Sequence, residues 1–170
     1  MSPGITPGDV SFLALQGKLV PPKAVRNMSD VQAAYLAGLI DGEGTVTLSR
    51  RHRNERRQLV VSIVSTERSL VDWALQTTGV GKITRKRVTS DKHAPGLTYS
   101  VSNRQALELL RQVSPYLQSY KKTRSLMALS EYIALTPRNG RYRGDLAYQR
   151  DRFERAFLAV HSRSEPHSSS

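Results

Sequence analysis

Two carboxylates in one short run are placed for work on a cation or a phosphate. Tyr35–Gly44 reads YLAGLIDGEG, with Asp41 and Glu43 near its end, separated and followed by glycine. The apolar Leu36, Ala37, Leu39 and Ile40 precede them without a proline, so a helix should deliver both acids at its C-terminus. The last carbonyls of a helix carry partial negative charge of their own, and a carboxylate is disfavoured there unless a cation accompanies it. A hard divalent ion would meet that need, held by the Glu43 carboxylate and a backbone carbonyl such as that of Gly42, with water completing the shell. A plain polar turn between helix and strand uses the same residue types, and the local chemistry leaves both readings open.

The helix that must position these acids has a second peculiarity. Ala34, Gly38 and Gly42 recur at four-residue spacing, so one stripe of it is nearly bare and can admit another helix at short range. A glycine mid-helix costs about 1 kcal/mol relative to alanine, which gives Gly38 a packing reason to be there. Ser29 or Asp30 can cap the start, and Thr45–Leu48 beyond Gly44 alternates as a strand does.

Composition bounds the partners. In 170 residues Lys and Arg number 26 against 14 Asp and Glu, a net charge of +12 that favours a polyanion. No stretch approaches the ~20 apolar residues of a membrane span, so nucleic acid is expected rather than a membrane. The absence of cysteine excludes disulfides, thiolate zinc sites and a cysteine nucleophile. It suits a reducing compartment, and with no secretory signal visible the expectation is an intracellular protein of a bacterial cytoplasm or a eukaryotic organelle. The length suits one domain and is too short for two copies of it.

Thr45–Arg51 and Arg57–Ser65 read as two strands with Val46, Leu48, Leu59, Val61 and Ile63 on one face. Thr47, Ser49, Arg51, Gln58 and Ser62 fall on the other, and the tip between them carries five arginines, Arg50, Arg51, Arg53, Arg56 and Arg57. Thr66–Thr78 follows as a helix, Gly81–Val88 and Leu97–Val101 as two more strands, and Ser102 with Gln105 at capping-box spacing starts another helix. A helix over Thr123–Leu135 should bury Leu126, Leu129 and Ile133, and Asp145–Val160 forms a last one. Pro and Gly break up residues 1–28 as an N-terminal extension, and residues 162–170 should be a disordered tail.

Leu36–Gly44 resembles the signature of the LAGLIDADG homing endonucleases, with Gly42 in the alanine position and Glu43 in the second aspartate position. The resemblance implies an α+β fold, an αββαββα core whose four antiparallel strands form a DNA-binding saddle, followed by C-terminal helices, all within residues 29–161. Carried over residue by residue, Glu43 is catalytic and binds magnesium or another divalent cation together with Gly42. Thr47, Ser49, Arg51, Arg53, Gln58, Ser62, Lys82, Thr84 and Lys86 line the saddle. Ala34, Ala37, Gly38 and Asp41 meet a second copy across a two-fold, since one signature per chain implies a homodimer. Pro115-Tyr116-Leu117 before Lys121-Lys122 resembles the segment that sends a lysine toward the active site. Tyr120 stands where that lysine is expected, so Lys121 is the candidate and Lys122 the second. Ser65 closes the second strand where Gln or Asn often positions water. The implied activity is site-specific homing by an intron-encoded enzyme. It would make a double-strand break with 3′ overhangs in a long pseudo-palindromic DNA site by metal-assisted phosphodiester hydrolysis. A non-cleaving DNA-binding regulator and an RNA maturase acting on its own intron are the alternatives on the same fold.

Overall fold

The computed structural model describes residues 23–85 and 96–161. The extension before residue 23, Lys86 and the rest of the expected third strand, the turn up to residue 95 and the tail from residue 162 lie outside the described residues.

Helix α1 spans Asp30–Glu43 and starts with a reciprocal cap: the Gln32 amide donates to Ser29 Oγ at 3.3 Å, and the Ser29 amide donates to Gln32 Oε1 at 3.0 Å. Two first-turn donors that helix geometry would leave orphaned are thereby used. Replacing Ser29 with alanine should lower stability by about 1 kcal/mol, read as a shifted urea midpoint at unchanged slope. Ala33, Leu36, Ala37 and Ile40 form the buried stripe, while Val31, Ala34, Tyr35 and Gly38 face out. The chain then passes straight into β1, Gly44–Ser49. Only glycine fits that junction, because a Cβ on Gly44 would stand 2.6 Å from Ile40 Cα and 2.8 Å from the Ser62 carbonyl oxygen, both backbone atoms.

Strand β2 (Gln58–Ser65) pairs with β1, β3 is Lys82–Arg85 and β4 is Leu97–Ser102; all pairs are antiparallel in the order β1-β2-β4-β3. Period-two alternation puts Val46, Leu48, Leu59, Val61, Ile63, Leu97, Tyr99 and Val101 on one face, where they join the core. Helices α2 (Arg68–Thr78) and α3 (Asn103–Val113) pack with α1 against the sheet, and α4 (Tyr120–Glu131) and α5 (Asp145–Ala159) pack along β1. The expected αββαββα order and the four-stranded antiparallel sheet are both present. Among the described residues no helix is long and apolar enough to cross a membrane.

Helix α4 departs from the expected core stripe. Leu126 and Ile133 are exposed, and the inward positions are Lys121, Arg124, Ser125 and Ala128, continued beyond the helix by Tyr132 and Leu135. The cations are inside because they cap other helices. Arg124 donates from Nε to the Val160 carbonyl at 2.8 Å and from Nη2 to that of Leu158 at 3.4 Å, closing α5, and from Nη1 to Val46 of β1 at 2.8 Å. Arg26 does the same for α2 through the Gln76 carbonyl at 2.8 Å. Cations on terminal carbonyls complement the partial negative charge there. The expected box of Ser102 and Gln105 does not form. Ser102 makes no side-chain cap bond, Asn103 sits at φ 59°, and Gln105 Nε2 instead donates to the Lys23 carbonyl at 2.6 Å.

Candidate functional site

The end of α1 and the start of α4 exchange charges. Asp41 accepts from the backbone amides of Gln118 at 2.8 Å and Ser119 at 3.3 Å and from the Ser119 hydroxyl, which places a carboxylate at the N-terminus of α4. From the first turn of α4, Lys121 Nζ donates back to the carbonyls of Ile40 at 2.7 Å and Asp41 at 2.8 Å, which places an ammonium at the C-terminus of α1. Each helix end thus receives the sign of charge its dipole favours. The cation that a C-terminal Glu43 calls for is supplied, within the protomer, by Lys121, only 6% exposed. Burial pushes its pKa below the usual lysine range, and the carboxylates of Asp41 and Glu43 oppose that fall. Two of its three N–H donors go to carbonyls, and the third is left for another acceptor. Lys121 rather than Lys122 therefore reaches this junction.

Glu43 itself is exposed, as is Gly42 before it. Gly44 pairs with Ile63, so Ser65, two residues further along β2, lies at the same end of the sheet. Ser65 Oγ accepts from the Glu67 amide at 3.0 Å and is thereby fixed at the entry to α2. Glu43, Gly42, Lys121 and Ser65 thus gather at one end of the molecule. Among the described residues there is no group of three or more His, Cys, Asp or Glu placed to hold a metal. Glu43 and the Gly42 carbonyl offer hard oxygen, which suits magnesium when phosphate, water or a second protomer completes the shell.

The uncovered face of the sheet carries the expected polar set. Thr45, Ser62, Ser100 and Lys82 form one cross-strand row, Ser49 stands opposite Gln58, and Thr84 opposite Thr98. Thr47 shares this face with them. A cleft of about 340 Å³ runs over the face, lined by Ser49, Arg51, Gln58 and Lys82 among others. The row residue Ser100, together with Ser102 and Gln105, was missing from the sequence-derived set. Strand alternation in β4 places Ser100 there; Gln105 is at capping-box spacing from Ser102 but turns to the Lys23 carbonyl. Arg51 and Arg53 are exposed on the β1–β2 turn, which Arg50 braces through the Arg53 carbonyl at 3.0 Å. Arg56 and Arg57 of the same tip are paired with Asp151 and Glu154 of α5. Two of the five tip arginines therefore fasten the turn to the body.

The outward stripe of α1 contains Ala34 and Gly38 as expected, and a Cβ on Gly38 or Gly42 would meet nothing within 4 Å. Among the described residues nothing explains why these positions lack side chains. Two of the expected interface residues are engaged within the protomer itself. Ala37 is fully buried in the protomer's own core, one position round the helix from the open stripe, and has no surface to offer a partner. Asp41 directs its carboxylate into the α4 cap.

The LAGLIDADG-like domain matches residues 30–124. No curated protein matches the chain. Among solved structures, the homing endonuclease I-CvuI in complex with its target in the presence of calcium is 14% identical, with a TM-score of 0.63 over 83% of this chain and 87% of that one. The archaeal intron-encoded homing endonuclease I-Vdi141I complexed with DNA is 19% identical, with a TM-score of 0.61 over 82% and 90%. The I-SmaMI LAGLIDADG homing endonuclease bound to cleaved DNA is 17% identical at a TM-score of 0.55, and there 92% of this chain covers 52% of that one. With the matched segment running from the first residue of α1 to the Lys121 turn of α4, the chain belongs to the LAGLIDADG-like family and has the fold of the LAGLIDADG homing endonucleases.

Proposed function

We propose that this protein is a site-specific DNA endonuclease that works as a homodimer on a long, roughly palindromic duplex site. The observation that carries the reading is the exposed Glu43 carboxylate beside the buried Lys121 ammonium, at the end of a polar and basic sheet face. The structures it resembles are of endonucleases on DNA. A protein that only bound DNA would gain nothing from an acid turned toward phosphate, which disfavours the non-cleaving regulator.

The sheet face supplies binding. A ribbon of antiparallel strands fits the major groove, where Thr47, Ser49, Gln58, Ser62, Lys82 and Thr84 would meet base edges or phosphates, with Arg51 and Arg53 beside them. Glu43 and the Gly42 carbonyl would hold a divalent cation, with magnesium the expected ion. When bound, such an ion stabilises charge on the phosphoryl oxygens and acidifies water. Lys121 has one donor left to turn toward a phosphate oxygen or the attacking water, and Ser65 has a hydroxyl proton for the same water. Val31, Ala34, Tyr35, Gly38 and Gly42 would meet the same stripe of a second copy, because Val31 at 79% and Tyr35 at 48% exposure leave apolar area uncovered on the notched face. That pairing brings the two Glu43 carboxylates together beneath the centre of the site. An intron-encoded origin, with the uninterrupted host locus as target, belongs to the same proposal.

The test is incubation of the purified protein with magnesium and a plasmid carrying that locus. A linear product with 3′ overhangs, abolished by chelation, is expected. Tight binding without any linear product would return the regulator, and splicing of the parent intron without cutting would return the maturase.

A further inference from the structure

Among the described residues Asn103 is the single non-glycine residue with positive φ, at 59°, and it opens α3 directly after β4. Asparagine tolerates this left-handed conformation better than most residues, yet glycine would adopt it with no strain. The side chain therefore has a use. Its Oδ1 accepts from the Tyr132 hydroxyl at 3.2 Å, and that hydroxyl accepts from the Leu59 amide at 3.0 Å. The phenolic proton goes to Asn103 Oδ1, which turns the amide nitrogen away from Tyr132. Tyr132 is itself fully buried, with the Arg150 guanidinium 4.9 Å from its ring centre, so the anchor is rigid.

The amide is thus held by its oxygen and presents its nitrogen. Nδ2 has no partner among the described residues, and no buried side-chain nitrogen lacks one, so Nδ2 reaches solvent. Asn103 lines a cleft of about 430 Å³ between the β1–β2 turn and the loop joining α4 to α5, together with Glu55, Arg56, Arg57, Gln58 and Arg138. Gln58 lines this cleft and the one over the open sheet face alike, so the two adjoin at that residue.

We infer that Asn103 is a further DNA-contacting residue, a preorganised donor that engages an acceptor atom of the duplex at the outer rim of the sheet face. This rests on the DNA-binding reading above. The acceptor is a purine N7 or O6, a thymine O4 or a phosphate oxygen.

The test compares Asn103→Asp and Asn103→Gly with the wild type, on the cognate duplex and on a panel with each outer base pair substituted. Aspartate keeps the backbone conformation and the oxygen toward Tyr132 but exchanges the donor for an acceptor; glycine removes the donor and relieves the backbone. Aspartate should weaken binding about tenfold or more and glycine less. Loss of discrimination at one outer base pair identifies a base acceptor. Uniform weakening across the panel with a reduced salt slope identifies a phosphate. Wild-type affinity and specificity in both variants, with only thermal stability changed, overturns the inference. Failure of the wild type itself to bind any duplex is the separate failure of the DNA-binding reading.

Discussion

Glu43→Gln should bind the target duplex as well as the wild type, or slightly better, and cut it roughly three orders of magnitude more slowly, the rate equivalent of the several kcal/mol that a metal-held phosphate is worth. Binding survives because Glu43 is exposed and takes no part in the core, and the amide is its isostere. Removing a negative charge that would face phosphates also relieves repulsion. Cutting fails because an uncharged amide is a poor ligand for a hard divalent ion. Lys121 keeps both carbonyl bonds to α1, so the junction holds its shape without the carboxylate. What changes there is electrostatic. Glu43 is one of the two charges that oppose the effect of burial on Lys121, and without it the ammonium is less favoured. Gel shift and cleavage on one duplex, at equal magnesium, separate the two effects. Cleavage within tenfold of wild type would remove Glu43 from the chemistry. Lys121→Met is the contrasting variant: it takes the ammonium from the carbonyls of Ile40 and Asp41, leaving the Ile40 oxygen only the Gly44 amide, and should lose thermal stability along with cutting.

The sheet was legible in the sequence and the inner face of α4 was not, for a physical reason. Strand alternation is an all-or-none signal: Val46, Leu48, Leu59, Val61 and Ile63 cannot share a face unless Thr47, Ser49, Gln58 and Ser62 share the other. Helix α4 offers an equally regular apolar set in Leu126, Leu129 and Ile133, and the structure exposes two of the three. Its orientation is decided by carbonyls elsewhere in the chain, the ends of α1 and α5, that only long cationic side chains on this helix reach. No periodicity within Thr123–Leu135 records where those ends lie. The same limit explains Ala37. Four-residue spacing marks Ala33 with Ala37 as readily as Ala34 with Gly38, and only the packed core tells the inward pair from the outward one. At Glu43 the sequence demanded a cation without naming its chemistry. The lysine that answers comes from 78 residues further along the chain, and the electrostatic argument for a cation is satisfied by it before any metal enters.

Gly38 offers an expected result whose sign differs between one protomer and two. Among the described residues of the protomer a Cβ there meets nothing within 4 Å, and the position is an exposed helix interior. Gly38→Ala should therefore raise the stability of an isolated protomer by about 1 kcal/mol, and leucine, a comparably good helix former, should do nearly as well. Against a second copy of α1 the same atoms hold two backbones apart. Overpacking of that kind costs about 1–3 kcal/mol, and Gly38→Leu should raise the dimer dissociation constant by on the order of 10²-fold. Sedimentation measures the dissociation constant directly, and thermal unfolding at two protein concentrations gives the sign. Below the dissociation constant the leucine variant should melt above the wild type; well above it the order should reverse, because only the wild type gains stability from association. A leucine variant that still dimerises and cuts like the wild type would place the two-fold elsewhere. The paired carboxylates would then lose their meeting point, since Glu43 is on the same helix as the notch and goes wherever that helix goes.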